Sequence, residues 1–366
     1  MRPEQRHQFG KLALPIAIAT GTVICIAAAV IWVKQAKASS TPSSTPSPSS
    51  TALLAPPASA SATRAESPEE ALQRYANVCE KAVRERRFEQ ALELCQTFTQ
   101  VESLAAKAYA SMAVASMLRE GRANSEQMVS AKHAEQAAKL KDPLGQMIWA
   151  FHTLNGYGGN QLSSEQVAKL LVDAQKGGVD KASLLLDNLK QGQQCRETAK
   201  VQMFDLPLFC MNRGELRLAL KGLGLREQEE KAGSEREVFN LGDLLPGAKQ
   251  LSLQYARELP SYLLKPAILS YRFSNQDALA LAQTQQRITD GLRKKYGEAQ
   301  QRNAETNMPS LWRTSDGIEI ELRRDGPNEL LLSYQLPSRV TALREQTLAQ
   351  EQRRQEKLNA QTLKAI

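Results

Sequence analysis

The sequence predicts a mainly α protein. It should have an N-terminal transmembrane helix, a short solenoid of stacked helical hairpins, and then a smaller α+β domain with an antiparallel meander and a C-terminal helix. Three observations carry that reading. Residues 12–33, LALPIAIATGTVICIAAAVIWV, contain no charged side chain. Residues 68–190 are dominated by Ala, Leu, Gln, Glu and Lys, which favour helix, and they hold an internal echo. Past residue 190 turn signals and short alternating apolar runs take over. The expected organisation is an arm over 1–11, a membrane helix over 12–33, a Ser/Thr/Pro/Ala linker over 34–67, a helical repeat domain over 68–190, an α+β domain over 191–340 and a C-terminal helix over 341–366.

As a helix, the apolar run of 22 residues would be about 33 Å long, enough to cross a hydrocarbon core of about 30 Å. Arg2, Arg6 and Lys11 precede it, while Lys34 and Lys37 follow it. That balance favours a cytoplasmic N-terminus. The expected placement is therefore a single-pass protein of a bacterial inner membrane, with its C-terminal bulk periplasmic and the membrane itself as a partner through 12–33. A competing reading is cleavage after Ala38, because Ala36-Lys37-Ala38 has the small-x-small pattern. The apolar run, however, exceeds the roughly 7–15 residues of a signal h-region. The linker lacks the apolar residues needed for a core and need not fold.

Cys25 lies within the apolar run. Cys79 and Cys95 flank Glu85-Arg86-Arg87-Phe88, which reads as the turn of a helical hairpin, so the two sit at similar heights on antiparallel helices. Cys195 and Cys210 form a second local couple. An even count in an exported domain favours disulfides, and closing a loop of about 15 residues is worth roughly 3 kcal/mol in the chain-entropy model. Pairing of Cys79 with Cys195 or Cys210, and buried free thiols, stay open at this point. Zinc is disfavoured by the absence of Cys-x-x-Cys and of a thiol near His133 or His152.

Ser67-Pro68-Glu69-Glu70 is a helix start, with a cap residue, Pro at the first helical position and early acids. Leu72, Tyr75, Ala76, Cys79, Ala82 and Val83 then follow helical spacing, and a second helix restarts at Phe88. Residues 124–145 recur as 163–183 with a slip of one residue. Each copy begins with a cap, runs through a helix and breaks at LKDPLG or KGGVDKA. Arg87 to Leu94 resembles the second helix of a tetratricopeptide unit. Leu144 to Leu189 resembles Sel1-like repeats, on Gly156-Tyr157-Gly158 between helices, Ala168 and Ala174 within the second, and Gly177-Gly178 with Ala182 opening the next. It lacks the usual mid-helix aromatic of that family. The resemblance implies helix pairs that stack into a solenoid and bind proteins or peptides, for which Tyr109, Trp149, His152 and Tyr157 are the candidate contact residues. A rigid spacer is the plainer alternative.

In the second half, Leu216, Leu218 and Leu220 alternate with polar or small residues and predict a strand. Ser252 to Tyr255 and Ala267 to Tyr271 are weaker strand candidates. Asn275 to Tyr296 predicts an amphipathic helix ending at Gly297. A meander follows, with Leu311-Trp312-Arg313, then Ile318, Ile320 and Leu322, then Leu330, Leu332 and Tyr334. Trp312 is expected as a core anchor. Val340 to Ile366 predicts an exposed helix.

The chemistry of catalysis is hard to find. The chain has three histidines and no nucleophile elbow, zinc-protease or phosphate-loop motif. Catalytic, cofactor-binding and metal-ligating residues are all expected to be none. The net charge of +8 is dispersed and aromatics are 5%, which argues against nucleic acid and leaves weak contact with anionic lipid or cell-wall polymer. The expected function is a non-catalytic, membrane-anchored periplasmic adaptor whose repeats bind protein partners in an envelope assembly of secretion, pilus or conjugation type. The alternative is a periplasmic enzyme or cell-wall-binding protein with a site in 191–340.

Overall fold

The computed structural model describes residues 67–119, 124–158, 162–228, 235–300 and 309–365. The arm 1–11, the expected membrane helix 12–33 and nearly all of the linker 34–67 lie outside the described residues. Among the described residues no helix is long and apolar enough to cross a membrane. The single-pass inner-membrane placement is corrected accordingly: the described residues supply no spanning helix. The most apolar helices, Ala105–Leu118 and Pro143–Leu154, have only 14 and 12 residues, short of the roughly 20 that a span needs. Even the longest, Pro337–Ala365, carries Arg, Glu, Lys and Gln throughout.

The helical half begins where the sequence puts it. Ser67 and Glu70 form a reciprocal capping box ahead of α1 (Pro68–Tyr75). A π-helical turn, Ala76–Glu80, leads into α2 (Lys81–Arg84). Leu72, expected on the apolar face, is instead exposed. Then come α3 (Phe88–Gln96), α4 (Ala105–Leu118), α5 (Asn124–Lys139), α6 (Pro143–Leu154), α7 (Ser164–Lys176) and α8 (Ala182–Thr198). From α3 onward each helix packs on the next.

One local device bends the chain back repeatedly. Arg86, Lys141, Gly156 and Gly178 all take positive φ. The amide after each reaches a carbonyl five residues back, as in Arg87 N→Ala82 O (2.9 Å), Asp142 N→Ala137 O (3.0 Å), Tyr157 N→His152 O (2.8 Å) and Val179 N→Ala174 O (3.1 Å). This is the Schellman closure of a helix. Small residues then set the spacing. A Cβ on Gly145 would lie 2.3 Å from Ala137 Cβ, and one on Gly177 would lie 2.3 Å from Pro143 Cγ. The echoed segments thus end α5 and α7 with the same turn.

Beyond α8 the architecture differs from expectation. The predicted strand at Leu216–Leu220 is a helix, α9 (Arg213–Gly222), opened by a capping box between Asn212 and Glu215. Leu216 and Leu220 are buried while Leu218 is 44% exposed. The i, i+4 pair faces the core, and the apparent alternation was an accident of an exposed third leucine.

The remainder is no small meander. β1 (Arg226–Glu227), β2 (Arg236–Asn240), β3 (Ala248–Glu258), β4 (Leu263–Ser274), β5 (Ser310–Arg313), β6 (Glu319–Arg324) and β7 (Glu329–Gln335) form one seven-stranded sheet in the order β1-β2-β3-β4-β7-β6-β5. Every neighbouring pair is antiparallel. The expected class, mainly α with a smaller α+β domain, is therefore corrected to a mixed fold built on a large antiparallel sheet. The weak candidates at 252–255 and 267–271 are the centres of its two longest strands, which the sequence understates because both faces carry partly buried residues. The meander and the helix after Asn275 are present, the latter as α10 (Ala278–Tyr296).

One sheet face makes the main core. Leu251, Leu253, Tyr255, Leu269, Tyr271, Leu330 and Trp312 meet Leu216 and Leu220 of α9 and Leu281 and Leu292 of α10. Trp312 is the anchor expected, with its indole N–H donating to Gly297 O at 3.0 Å. On the other face, Ala256 and Ala267 receive Val340 of α11 (Pro337–Ala365). Residues 350–362 of α11 are exposed.

Both predicted disulfides are formed, Cys79–Cys95 and Cys195–Cys210. The first joins the π-turn to α3, and the second ties the last turn of α8 to Cys210, shortly before α9.

Candidate functional site

The densest gathering of charged and aromatic side chains lies where the helical stack meets the sheet. The Asn212 cap starts α9, and helical spacing then places Arg213 and Arg217 on one face, four residues apart. Opposite them Glu237 rises from β2 and Tyr255 from β3, two strands paired in register. Glu237 Oε1 accepts from Arg213 Nε at 2.5 Å and from Arg217 Nε at 2.6 Å, while Oε2 accepts from the Tyr255 hydroxyl at 2.5 Å. Arg213 and Glu237 are 2% and 1% exposed.

The stack contributes from the turn after α6. Gly156 O accepts from Arg217 Nη1 at 2.7 Å. The Arg213 guanidinium carbon lies 5.3 Å from the centroid of the Tyr157 ring and 5.5 Å from that of Tyr255, a cation–π arrangement on two rings. Gly214 lets α9 close on α6, since a Cβ there would lie 1.9 Å from Thr153 O.

A second polar cluster fastens another part of the same joint. Glu258 accepts from Lys265 Nζ at 2.6 Å and from Asn188 Nδ2 of α8 at 2.9 Å. Arg339 of α11 reaches it at 3.4 Å and also donates to Phe209 O at 2.6 Å. Asn155, one residue before the Gly156 turn, accepts from Leu264 N of β4 at 2.7 Å. The carboxyl of Glu258 would be raised by burial, but Lys265 and Arg339 hold it below the usual range. Lys265 in turn is lowered by burial.

This chemistry is structural. A base needs a lone pair that a substrate can reach, and both oxygens of Glu237 are already engaged and buried. Burial, with Glu237 beside it, pushes the Tyr255 hydroxyl far above its ordinary range, so it stays protonated and donates. The crevice bordering the joint, lined by Thr153, Leu162, Ser164, Asn212, Gly214 and Glu215 among others, has about 10 Å³ of free space, room for one water. Among the described residues no group of three His, Cys, Asp or Glu gathers as a metal site.

The four predicted contact residues fall in different settings. His152 is fully buried. Its Nε2 sits 2.8 Å from Ser130 Oγ, and that hydroxyl also donates to Ala113 O at 2.7 Å. With the serine proton committed to Ala113, Nε2–H is the donor to Ser130 and Nδ1 stays bare. Burial holds the ring at a pKa of about 3, so this Ser–His contact is a neutral core pair, unreachable by a partner. Tyr157 is half-buried under Arg213. Tyr109 is half-buried with its ring centroid 6.5 Å from that of His133, and Trp149 is half-buried on α6.

Sequence reasoning missed Arg213, Arg217, Glu237 and Glu258. The signal that could have found the first two was present: Asn212-x-x-Glu215 is a helix start, and a helix there places the two arginines together. No family model matches this chain, and no curated protein or solved structure was found to match it.

Proposed function

We propose that this chain is a non-catalytic adaptor whose helical stack binds protein partners, with the sheet serving as a rigid base. One observation carries the reading: the polar groups able to do chemistry are turned inward to fasten stack to sheet, while Tyr109 and Trp149 remain partly accessible on the mutually packed helices α4 and α6. Half-buried aromatics on a rigid scaffold suit protein recognition, because they bring large contact area with little rotamer freedom to lose. The likeness of Leu144 to Leu189 to Sel1-like repeats supports the same role.

The test has two steps. In-cell crosslinking of the full chain, read by mass spectrometry, identifies recurrent protein partners. Tyr109→Ala and Trp149→Ala are then compared for affinity and for thermal unfolding. An affinity loss of about tenfold or more for at least one variant, with unfolding unchanged, is expected. The absence of any recurrent partner, or unchanged affinity in both variants, would sink the adaptor.

A further inference from the structure

The two disulfides sit in opposite environments. Cys79 and Cys95 are both fully buried, in the first helix pair of the stack. Cys210 is buried as well, but Cys195 is exposed on the last turn of α8. A disulfide opens when a thiolate reaches one of its sulfurs, so access separates inert bonds from labile ones. We propose that Cys195–Cys210 is a thiol-addressable clasp that controls how firmly the connector between stack and sheet is held, whereas Cys79–Cys95 is a permanent staple.

The connector, residues 199–212, gives the clasp something to control. Residues 199–207 contain no helix, and their one ladder contact is the bridge between Met203 and Leu206. Phe204 and Asp205 both take positive φ. At its start the polar tie lies at the surface: Lys200 N donates to Asp316 Oδ2 at 3.0 Å. Such an exposed bond is worth little without covalent support. Val201, Met203, Leu208 and Phe209 are buried in the main core, and the Tyr271 hydroxyl donates to Met203 Sδ at 3.0 Å. Opening the clasp therefore loosens residues 196–200, ahead of these anchors, and leaves the fold standing.

The step is an exchange with an external dithiol. Its thiolate attacks Sγ of Cys195, the S–S bond breaks, and the electron pair leaves on Sγ of Cys210, which takes a proton. The second thiol of the reductant then attacks the mixed disulfide. Cys195 is released as a thiol, and the reductant is oxidised to its own disulfide.

The oxidised full-length chain, treated with dithiothreitol under native conditions and quenched with N-ethylmaleimide, reports the order of opening by peptide mapping. Cys195 and Cys210 should label on the order of tenfold faster than Cys79 and Cys95, with circular dichroism unchanged. Tryptic cutting after Lys200 should accelerate in step. Simultaneous opening of both pairs would overturn the proposal, as would release of 195–210 with no change in cutting at Lys200. The Cys195→Ser/Cys210→Ser double variant should be cut at the fast rate with or without reductant. Slow cutting, or failure to fold, would equally overturn it, because the proposal keeps the fold intact without this bond.

Discussion

Gly214→Ala offers the sharpest test of the joint, because two effects of opposite sign meet at one methyl group. Gly214 lies in the first turn of α9, and replacing a helical glycine by alanine ordinarily stabilises by up to about 1 kcal/mol. Gly291 is the position where that gain should appear undisturbed. It sits inside α10, is exposed, and a Cβ there would have no neighbour within 4 Å. At Gly214 the new Cβ would lie 1.9 Å from Thr153 O, with Leu154 C and O both at 3.1 Å. Carbon and oxygen need about 3.3 Å, so α9 would have to withdraw from α6 by roughly 1.4 Å. The obstacle is backbone, which cannot rotate away. Forced overpacking costs about 1–3 kcal/mol, and more where rigid elements must separate. The withdrawal would also stretch the 2.7 Å bond from Arg217 to Gly156 O. A net loss of about 2 kcal/mol or more is expected for Gly214→Ala, against a gain of up to about 1 kcal/mol for Gly291→Ala. Urea unfolding of the oxidised chain, compared through the midpoint at constant slope, measures both. A Gly214→Ala protein as stable as its parent would refute the close approach on which the joint depends.

Two further outcomes follow from the buried polar groups. Glu237→Leu strands Arg213 in the core and should cost about 3–5 kcal/mol, whereas adding Arg213→Met should recover much of that loss; a single-variant loss below about 1 kcal/mol in the same unfolding assay would contradict the network. His152 makes stability acid-sensitive. Its pKa is about 3 folded against about 6.5 unfolded. Above pH 6.5 the ring is neutral in both states and contributes nothing; as pH falls from 6.5 toward 3 only the unfolded chain gains the proton. Stability should thus drop by about 1.4 kcal/mol per pH unit over that window, or roughly 2 kcal/mol by pH 5. His152→Gln should flatten this slope in unfolding measured between pH 7 and 5, and an unchanged slope would show that other groups set it.

What was legible in the sequence is what local chemistry determines. Ser67 with Glu70, the paired breaks after α5 and α7, the cysteine couples and the Trp312 meander all act within short stretches of chain. The rest depended on distant partners. β3 and β4 each carry partly buried residues on both faces, so neither shows the strict alternation of a half-exposed strand. Leu216, Leu218 and Leu220 fit two periods, and only the positions of α6 and the sheet decide between them. Glu237 carries no local mark at all: in sequence it is one more charged residue on a short strand, and its burial follows from two arginines 24 and 20 residues upstream. His152 was singled out for the wrong reason, because a histidine on a helix gives no sign of whether a serine on the preceding helix awaits it.

Stacks of helix pairs ordinarily unzip from their ends, since a terminal pair has a neighbour on one side only. This stack has been denied both loose ends. At its start Cys79–Cys95 locks the first pair; toward its finish Asn155 and Asn188 are bonded to the sheet strands, and Gly156 to Arg217 of α9. Fraying is thereby suppressed where it would begin, so the amides of α5 and α6 should exchange with solvent only through opening of the whole body. A helical stack closed in this way melts as one cooperative unit and holds a fixed curvature from its first helix to its last.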